Sequence, residues 1–308
     1  MKNIKAFIAA FVLFFLTAAG IHMTAHGGLP EYTIRLGTWI EPSKFMCTDG
    51  LAQLLRSENA VAIFGSSELR HGQNTEFGVN SVFKDSDMDP VCIGQAGYQS
   101  LTHAITAGAL GEVLSEKKAV IIVSPQWFKD GGVKKSAFGA SFSEDAFLTF
   151  LKNDKIGRET KRYVTERARE LASDNCALLE KIETDIKLYG GEDQKESLGR
   201  WREFLVKERT DTGLFLKSVV SNRARKEERR QREIDWNTLY KQAKENGKKI
   251  ADNNEYGMLD AVYEKEYRDL IEKGGVKKPA YCVDSKEFED LECFLRVCGD
   301  NGIDVLVV

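Results

Sequence analysis

Three short apolar runs, each followed by a turn and then a helical pattern, constrain the fold of this chain more than any other sequence feature. The runs are Ala60–Phe64 (AVAIF), 91–93 (VCI) and 119–123 (AVIIV). Continuous apolar runs rich in β-branched residues are typical of strands that are buried on both faces. Residues 101–116 have the pattern of a helix between the second and third runs. This alternation predicts a parallel, doubly wound α/β sheet.

A polar loop follows each predicted strand: residues 65–68 (GSSE), 94–99 (GQAGYQ) and 124–126 (SPQ). In open parallel sheets, ligands bind at the carboxyl ends of the strands. A serine on a tight strand-to-helix turn can act as an exposed nucleophile beside backbone N–H donors, or simply as a helix N-cap. The loops match neither GxxxxGK[ST] nor a GxGxxG with an acidic residue about 20 positions on, which disfavours phosphate binding.

A serine nucleophile needs a base, and all four histidines lie in the first third of the chain. His71 follows Ser67 by four residues, so it is one helical turn away if a helix starts at once. His103 falls inside a predicted helix and is expected to be structural. His22 and His26 belong to or border an N-terminal apolar segment. The residues therefore predict no well-placed base for a serine here, with His71 as the alternative.

The N-terminal apolar segment covers residues 6–23, and no charge occurs between Lys5 and Glu31. This length is close to the roughly 20 residues that a transmembrane helix needs. Lys2 and Lys5 precede it, which predicts a cytoplasmic N-terminus and an extracellular bulk. We interpret residues 1–27 as a single-pass anchor in the cell membrane, with a cleaved signal peptide as the alternative.

Composition excludes several classes of protein. Hydrophobic residues make up 42% and charged residues 30% of the 308 residues, which is enough for a real core. The net charge of -3 argues against a generally basic nucleic-acid binder. Six cysteines are too sparse for a disulfide-stapled domain, and no CxxC pair or Cys/His cluster indicates zinc. We expect no metal and no cofactor.

The charge pattern divides the rest of the chain. Residues 28–144 are predicted to form the first part of the α/β core, 145–278 a helical insertion, and 279–308 a return to the core. The run 223–233 (RARKEERRQRE) is interpreted as a solvated helix face, with contact to an anionic polymer as the alternative. Apolar stripes expected to be packed are Val164, Ala168, Leu171, Leu178, Ile182 and Ile186; Trp201, Phe204 and Leu205; and Trp236, Leu239, Tyr240 and Ala243.

The last segment has the pattern of a helix followed by a strand. Ser285 is a predicted N-cap, and residues 303–308 (IDVLVV) form a strongly apolar strand, expected to be central and buried. Because a chain seldom stops inside such a strand, we expect these residues to be part of a longer protein. The helix residues expected to share one buried face are Phe288, Leu291, Phe294, Leu295 and Cys298.

Several segments together resemble the D-alanine transfer protein DltD family. They are VAIFGSSELR (61–70), IGQAGYQSLTH (93–103), VIIVSPQWF (120–128), WNTLYKQAKENGKK (236–249) and NNEYGMLD (253–260). The resemblance implies a role in D-alanylation of lipoteichoic acid at the Gram-positive cell envelope. It also implies a flavodoxin-like core similar to SGNH/GDSL hydrolases.

The same resemblance implies site residues. Laid over the Gly-Asp-Ser of those hydrolases, Gly65-Ser66-Ser67 makes Ser67 the nucleophile, with Ser66, in the aspartate position, as the alternative. Gly97 would give its N–H to the oxyanion hole, and Gln126 stands where such hydrolases carry an asparagine after the third strand. The aspartate and histidine of the triad lie near the C-terminus of family members, so the resemblance implies that residues 1–308 lack the base.

Two functions follow from the resemblance. The first is an acyltransferase or esterase that takes D-alanine from a donor, either a carrier protein or a membrane acyltransferase, and passes it to a teichoic-acid polymer. The second is a membrane-anchored, non-catalytic subunit that gathers the carrier, the polymer and the acyltransferase. Neither function involves nucleic acid.

Overall fold

The described part of the chain forms a four-stranded sheet with helices packed around it. The computed structural model describes residues 2–27, 32–39, 41–70, 75–129, 131–189, 196–221, 233–255, 258–274 and 285–308. The strands are β1 (Ala60–Phe64), β2 (Asp89–Ile93), β3 (Lys118–Ile121) and β4 (Asp304–Val307). The helices are α1 (Lys2–Gly27), α2 (Ile34–Gly37), α3 (Pro42–Met46), α4 (Thr48–Leu55), α5 (Val79–Val82), α6 (Ser100–Ala109), α7 (Gly111–Leu114), α8 (Lys135–Ser141), α9 (Glu144–Lys152), α10 (Arg158–Ala172), α11 (Cys176–Tyr189), α12 (Glu196–Ser221), α13 (Trp236–Ile250), α14 (Asp260–Val262), α15 (Arg268–Glu272) and α16 (Lys286–Asn301).

The sheet has the strand order β2-β1-β3-β4, and every pair is parallel. This is the order of a doubly wound, flavodoxin-like sheet, so the predicted fold class is confirmed. Because β2, β1 and β3 are neighbours and run the same way, the loops after them meet at one edge of the sheet. That edge carries the candidate active site.

The predicted last strand is confirmed, whereas its central, buried position stays a prediction. β4 pairs with β3 and lies at the edge of the sheet. Leu306 is 61% exposed and Val307 46% exposed. The apolar composition of residues 303–308 correctly indicated a strand, but composition does not report how many neighbours a strand has.

The helix predicted over residues 101–116 is interrupted. α6 ends at Ala109 and the short α7 begins at Gly111. A Cβ on Gly111 would lie 2.0 Å from Oδ1 of Asn301 in α16, so a glycine is needed where the helices cross. Every residue of α6 except Ala109 is buried, because this helix packs against α9 and α16 and its His103 ring contacts Phe64 of β1.

Lys44 ties the segment before the sheet to the sheet itself. Its side chain is fully buried, and its Nζ donates hydrogen bonds to the carbonyl oxygens of Cys92 (2.8 Å) and Gly37. Burial lowers the pKa of this ammonium to about 7, because desolvation disfavours the charged form. The side chain thus joins α3, the end of α2 and β2.

The helices between β3 and α16 meet the expectation of packed apolar stripes only in part. Val164, Ala168, Leu171, Leu178 and Ile182 are buried, and Ile186 is half-buried against the core, which confirms the first stripe. The other stripes were wrongly predicted to be packed, because their largest side chains (Trp201, Phe204, Leu205, Trp236 and Tyr240) are exposed.

The exposed stripe on α12 has a physical reason. This helix makes its buried contacts further along its length, where Asp211 and Leu214 are buried and Asp211 accepts a hydrogen bond from Sγ of Cys47 at 2.9 Å. Of the basic run 223–233, all but Glu233 lies outside the described residues.

α16 begins where predicted, because Ser285 accepts a hydrogen bond from the N–H of Glu287 (3.3 Å). Its predicted buried face is partly wrong: Phe294 and Cys298 are buried, but Phe288 and Leu295 are exposed. The buried face of α16 instead includes two polar residues that make specific hydrogen bonds, Glu287 and Asp290, both 0% exposed.

α1 contains Ile4–Thr24, a segment long and apolar enough to cross a membrane. None of the large apolar side chains along it is covered by the rest of the chain; Phe7 is 70% and Leu16 is 66% exposed. This agrees with the predicted single N-terminal apolar span.

Candidate active site

The two serines after β1 have different environments. Ser66 is 5% exposed, and its hydroxyl donates to the carbonyl oxygen of Gln95 at 3.2 Å. Its N–H bonds to the carboxylate of Glu68. Ser67 is half-buried and opens a short 3₁₀ turn, Ser67–Leu69. Ser66 therefore links two loops, while Ser67 is the more accessible hydroxyl.

The loops after β1 and β2 cross in close contact. The N–H of Gly65 donates to the carbonyl of Ile93 at 3.1 Å, which extends the ladder by one residue beyond β1. Gly94 has φ +150°, and a Cβ there would lie 1.8 Å from the carbonyl oxygen of Gly65. Only glycine allows the backbones to approach this closely.

Gly97 lies in the same second loop. Its φ is +88°, a value that L side chains rarely adopt, and the N–H of Tyr98 donates to the carbonyl of Gln95 at 2.9 Å to close the turn. Tyr98 is 1% exposed and anchors the turn in the core. The loop is therefore held in one conformation, as a backbone donor to an oxyanion requires. The oxyanion role of Gly97 stays a prediction.

The third loop places Gln126 on the surface. The turn Pro125–Trp127 follows β3, Gln126 is exposed, and the next residue, Trp127, is 2% exposed. Gln126 thus stands at the same edge of the sheet as Ser67 and Gly97, because β1, β2 and β3 are adjacent and parallel. Its contribution to an oxyanion hole also stays a prediction.

His103 is a structural residue, as predicted, and supports the loop after β1. Its Nε2 donates to the carbonyl oxygen of Gly65 at 3.0 Å, and the ring is fully buried. Desolvation lowers its pKa to about 3, so the imidazole is neutral. A buried ring whose Nε2 is already bonded to Gly65 is unsuited to take a proton from Ser67. Its aromatic neighbours are Phe64, Tyr98, Trp127 and Phe294.

The other histidines do not complete the site within the described residues. His71 lies outside them. His22 is bonded through Nδ1 to the carboxylate of Glu208 in α12 and packs on the ring of Phe204. The alternative base, His71, therefore stays a prediction.

One carboxylate at this end of the molecule escaped sequence analysis. Oε1 of Glu287 in α16 accepts the N–H of Ser100 at 2.9 Å and so caps the start of α6. Burial raises the pKa of Glu287 to about 7. These residues are 187 positions apart, so no local pattern joins them. The one available signal was an acidic residue two positions after the predicted N-cap Ser285, which is typical of a helix start.

A second buried pair fixes α16 against α10. Arg167 Nε lies 3.3 Å from Oδ2 of Asp290, and the hydroxyl of Tyr163 donates to Oδ1 of Asp290 at 2.7 Å. Arg167 also donates to the carbonyl of Gly131 at 2.8 Å. The segment after the third loop is thereby joined to both helices.

Comparisons of the sequence with known proteins identify a family and several relatives. The sequence model of the DltD protein family matches residues 39–308. Relatives named Protein DltD include one from Bacillus subtilis (strain 168), which is 27% identical over 98% of this chain and 77% of its own length. One from Lacticaseibacillus rhamnosus is 28% identical over 82% of this chain and 61% of its own length. One from Staphylococcus aureus (strain NCTC 8325 / PS 47) is 24% identical over 83% of this chain and 64% of its own length. The chain belongs to the DltD family.

Proposed function

We propose that this protein carries out an extracytoplasmic D-alanyl transfer step in D-alanylation of lipoteichoic acid, with Ser67 as the nucleophile of an SGNH-like site. Membership of the DltD family supports the process. The observation that carries the residue assignment is the contrast between the two serines: the Ser66 hydroxyl is buried on Gln95, while Ser67 is half-buried at the open edge of the sheet.

In the proposed reaction, Oγ of Ser67 attacks the carbonyl carbon of a D-alanyl ester or thioester. The negative charge on the carbonyl oxygen is stabilised by the N–H of Gly97 and by Gln126. The alcohol or thiol of the donor leaves with a proton, and D-alanine stays on Ser67 as an ester. A hydroxyl of the teichoic-acid polymer then attacks that ester, takes the D-alanyl group and returns the proton to Ser67.

The proposal also includes the division of the chain into a catalytic core and a helical insertion. Residues 28–144 and 279–308 would form one catalytic core, and residues 145–278 an insertion. The pairing of β4 with β3 supports this, because strands on either side of the insertion share one sheet.

Detection of the covalent intermediate tests the nucleophile. In a full-length form of the protein, a D-alanyl donor should leave a D-alanyl mass adduct on the peptide that contains residues 61–70. The adduct should disappear in Ser67→Ala and persist in Ser66→Ala, the matched control one residue away. An adduct that survives in Ser67→Ala and is lost in Ser66→Ala would reverse the assignment.

The topology is part of the proposal: α1 spans the cell membrane with the body outside. Cys176 is exposed, whereas Cys47, Cys92, Cys293 and Cys298 are buried. Cys282 lies outside the described residues, so the test uses a Cys282→Ser background. A thiol reagent that cannot cross membranes should label Cys176 of that variant in intact protoplasts, and the further change Cys176→Ser should remove the label. Labelling only after lysis would contradict the orientation.

A non-catalytic, membrane-anchored subunit that binds the carrier or the polymer is the second candidate. The observation that favours it is the state of the described histidines, since His103 is bonded to Gly65 and His22 to Glu208. Absence of any serine adduct, together with retained binding of the carrier protein or the polymer, would support this candidate.

A further inference from the structure

α12 carries an exposed apolar cluster that the catalytic proposal does not use. Trp201 is 66%, Phe204 46% and Leu205 61% exposed, and the rings of Trp201 and Phe204 are 6.0 Å apart in an edge-on arrangement. We name these three residues the α12 patch. Three large apolar side chains grouped in this way are more than the isolated exposed residues that any surface carries.

The helix beneath the patch is firmly docked, so the exposure is not a sign of a loose helix. Asp211 is fully buried and bonds to Cys47, and Leu214 is 1% exposed. Arg202 forms an ion pair with Asp185 of α11 at 2.5 Å. The patch therefore belongs to a helix that is held in place by buried contacts beyond the patch, at Asp211 and Leu214.

The patch is continuous with the apolar span of α1. His22 lies near the end of Ile4–Thr24, and its ring centroid is 5.9 Å from that of Phe204. The same imidazole bonds to Glu208, one turn further along α12. The patch is thus joined to α1 at the level where the span ends.

We propose that the α12 patch lies in the headgroup region of the outer leaflet and fixes the body of the protein against the bilayer. This inference rests on the proposed membrane topology of α1. Tryptophan is enriched at this level because its ring has an apolar body and a polar N–H. Arg200 and Arg209 are exposed on the same helix within one turn of the patch, where they meet anionic headgroups. Lipid is favoured over a protein partner because the patch adjoins the span itself.

Quenching of tryptophan fluorescence by lipid tests the proposal. The full chain is reconstituted in vesicles of phosphatidylcholine and phosphatidylglycerol whose acyl chains are brominated at carbons 6 and 7, a shallow position. Trp201→Phe should lower the fraction of fluorescence that the lipid quenches to about half or less. Trp236→Phe is the matched control, because Trp236 is 56% exposed but lies on α13. In the Trp201→Phe background, Leu205→Trp should restore the quenching.

The outcomes separate this inference from the topology on which it rests. Failure of the wild-type chain to float with the vesicles would overturn the membrane anchor and the patch with it. Flotation with an undiminished quenched fraction in Trp201→Phe, or an equal drop in Trp236→Phe, would overturn the patch alone. Flotation with no quenching of Trp201 would also overturn lipid as its partner.

Discussion

Nε2 of His103 lies 3.0 Å from the carbonyl oxygen of Gly65, the residue that precedes the two serines. The bond fixes the orientation of the peptide that leads into Ser66, and thereby the start of the turn on which Ser67 lies. Because the ring is buried and neutral, it acts on Ser67 through the backbone. This makes His103 a positioning residue for the proposed nucleophile.

Substitution of His103 tests that role. His103→Leu leaves the Gly65 carbonyl without its donor, and the rate at which a phosphonylating reagent modifies Ser67 should fall about 10-fold or more. His103→Gln keeps an N–H donor at a similar reach, so its rate should stay within about threefold of wild type. The pH dependence of the rate should be the same in wild type and His103→Gln. Loss of a pH-dependent limb in His103→Gln would show that the imidazole itself takes a proton.

The crossing of the two loops gives a prediction about Gly94. Gly94→Ala should destabilise the fold by about 3 kcal/mol or more, since its Cβ would meet the Gly65 carbonyl at 1.8 Å. Gly131→Ala is the control: Gly131 also has positive φ (+78°), but nothing lies within 4 Å of its Cβ. That change should cost only the backbone strain of about 1 kcal/mol. Equal losses of unfolding free energy in Gly94→Ala and Gly131→Ala, measured by urea denaturation, would refute the steric argument.

The reactivity of Ser67 in residues 1–308 should be low, because His103 is unavailable as a base. General-base assistance typically contributes about 10²–10⁴-fold, so added imidazole should accelerate phosphonylation of Ser67 by some part of that factor. The acceleration should vanish in Ser67→Ala. A fast reaction without imidazole that is lost in His71→Ala would instead identify His71 as the base.

His103 and Glu287, two buried groups near the site, should make the stability of the fold depend on pH in opposite directions. The folded-state pKa of His103, about 3, is below its unfolded value of 6.5, so its contribution is full above pH 6.5 and is lost as the pH falls. The folded-state pKa of Glu287, about 7, is above its unfolded value of 4.5, so its contribution is full below pH 4.5 and is lost as the pH rises.

Between pH 4.5 and 6.5 the two contributions therefore offset each other. Relative to wild type, the free energy of unfolding of His103→Gln should rise as the pH is lowered through this range, and that of Glu287→Gln should rise as the pH is raised. Each difference should change by up to about 1.4 kcal/mol per pH unit. Denaturant unfolding at several pH values measures both slopes. Parallel profiles in all three proteins would contradict the assigned burial.

The ion pair between α10 and α16 predicts strong coupling. Arg167→Met leaves the carboxylate of Asp290, which is 0% exposed, without its cation, and should cost about 3–5 kcal/mol. Adding Asp290→Asn removes the uncompensated charge and should recover part of the loss. Simple additivity of the two changes would show that the residues do not interact.

The sequence was sufficient for the features that depend on local pattern. β1 was predicted to the residue, because a continuous apolar run bounded by turn residues has few other outcomes in a soluble segment. Gly65 and Gly94 directly follow β1 and β2, and glycine is the residue type that allows two backbones to approach closely. Ser285 was recognisable as an N-cap because its residue type and position suffice for that role.

The features that sequence analysis missed depend on contacts between distant segments. Nothing near His103 indicates that its partner is the carbonyl of Gly65, and nothing near Ser100 indicates Glu287. On α12, the stripe that includes Trp201 has the spacing of a core face, yet Trp201 is exposed and the polar Asp211 is buried. Amphipathic spacing shows that a helix has an apolar side, but it does not show whether protein or another medium covers that side.

The connection between α1 and the folded body is short. Only residues 28–31 separate Gly27 from Tyr32, whose hydroxyl bonds to the carbonyl of Pro90, and Lys44 holds the end of α2 to β2. Whatever their conformation, these residues reach less than about 20 Å. With α1 in a bilayer, Ser67 would have no long tether on which to search. It would work at a nearly constant height above the lipid, so the section of a polymer that can be modified would be set by the dimensions of the protein body.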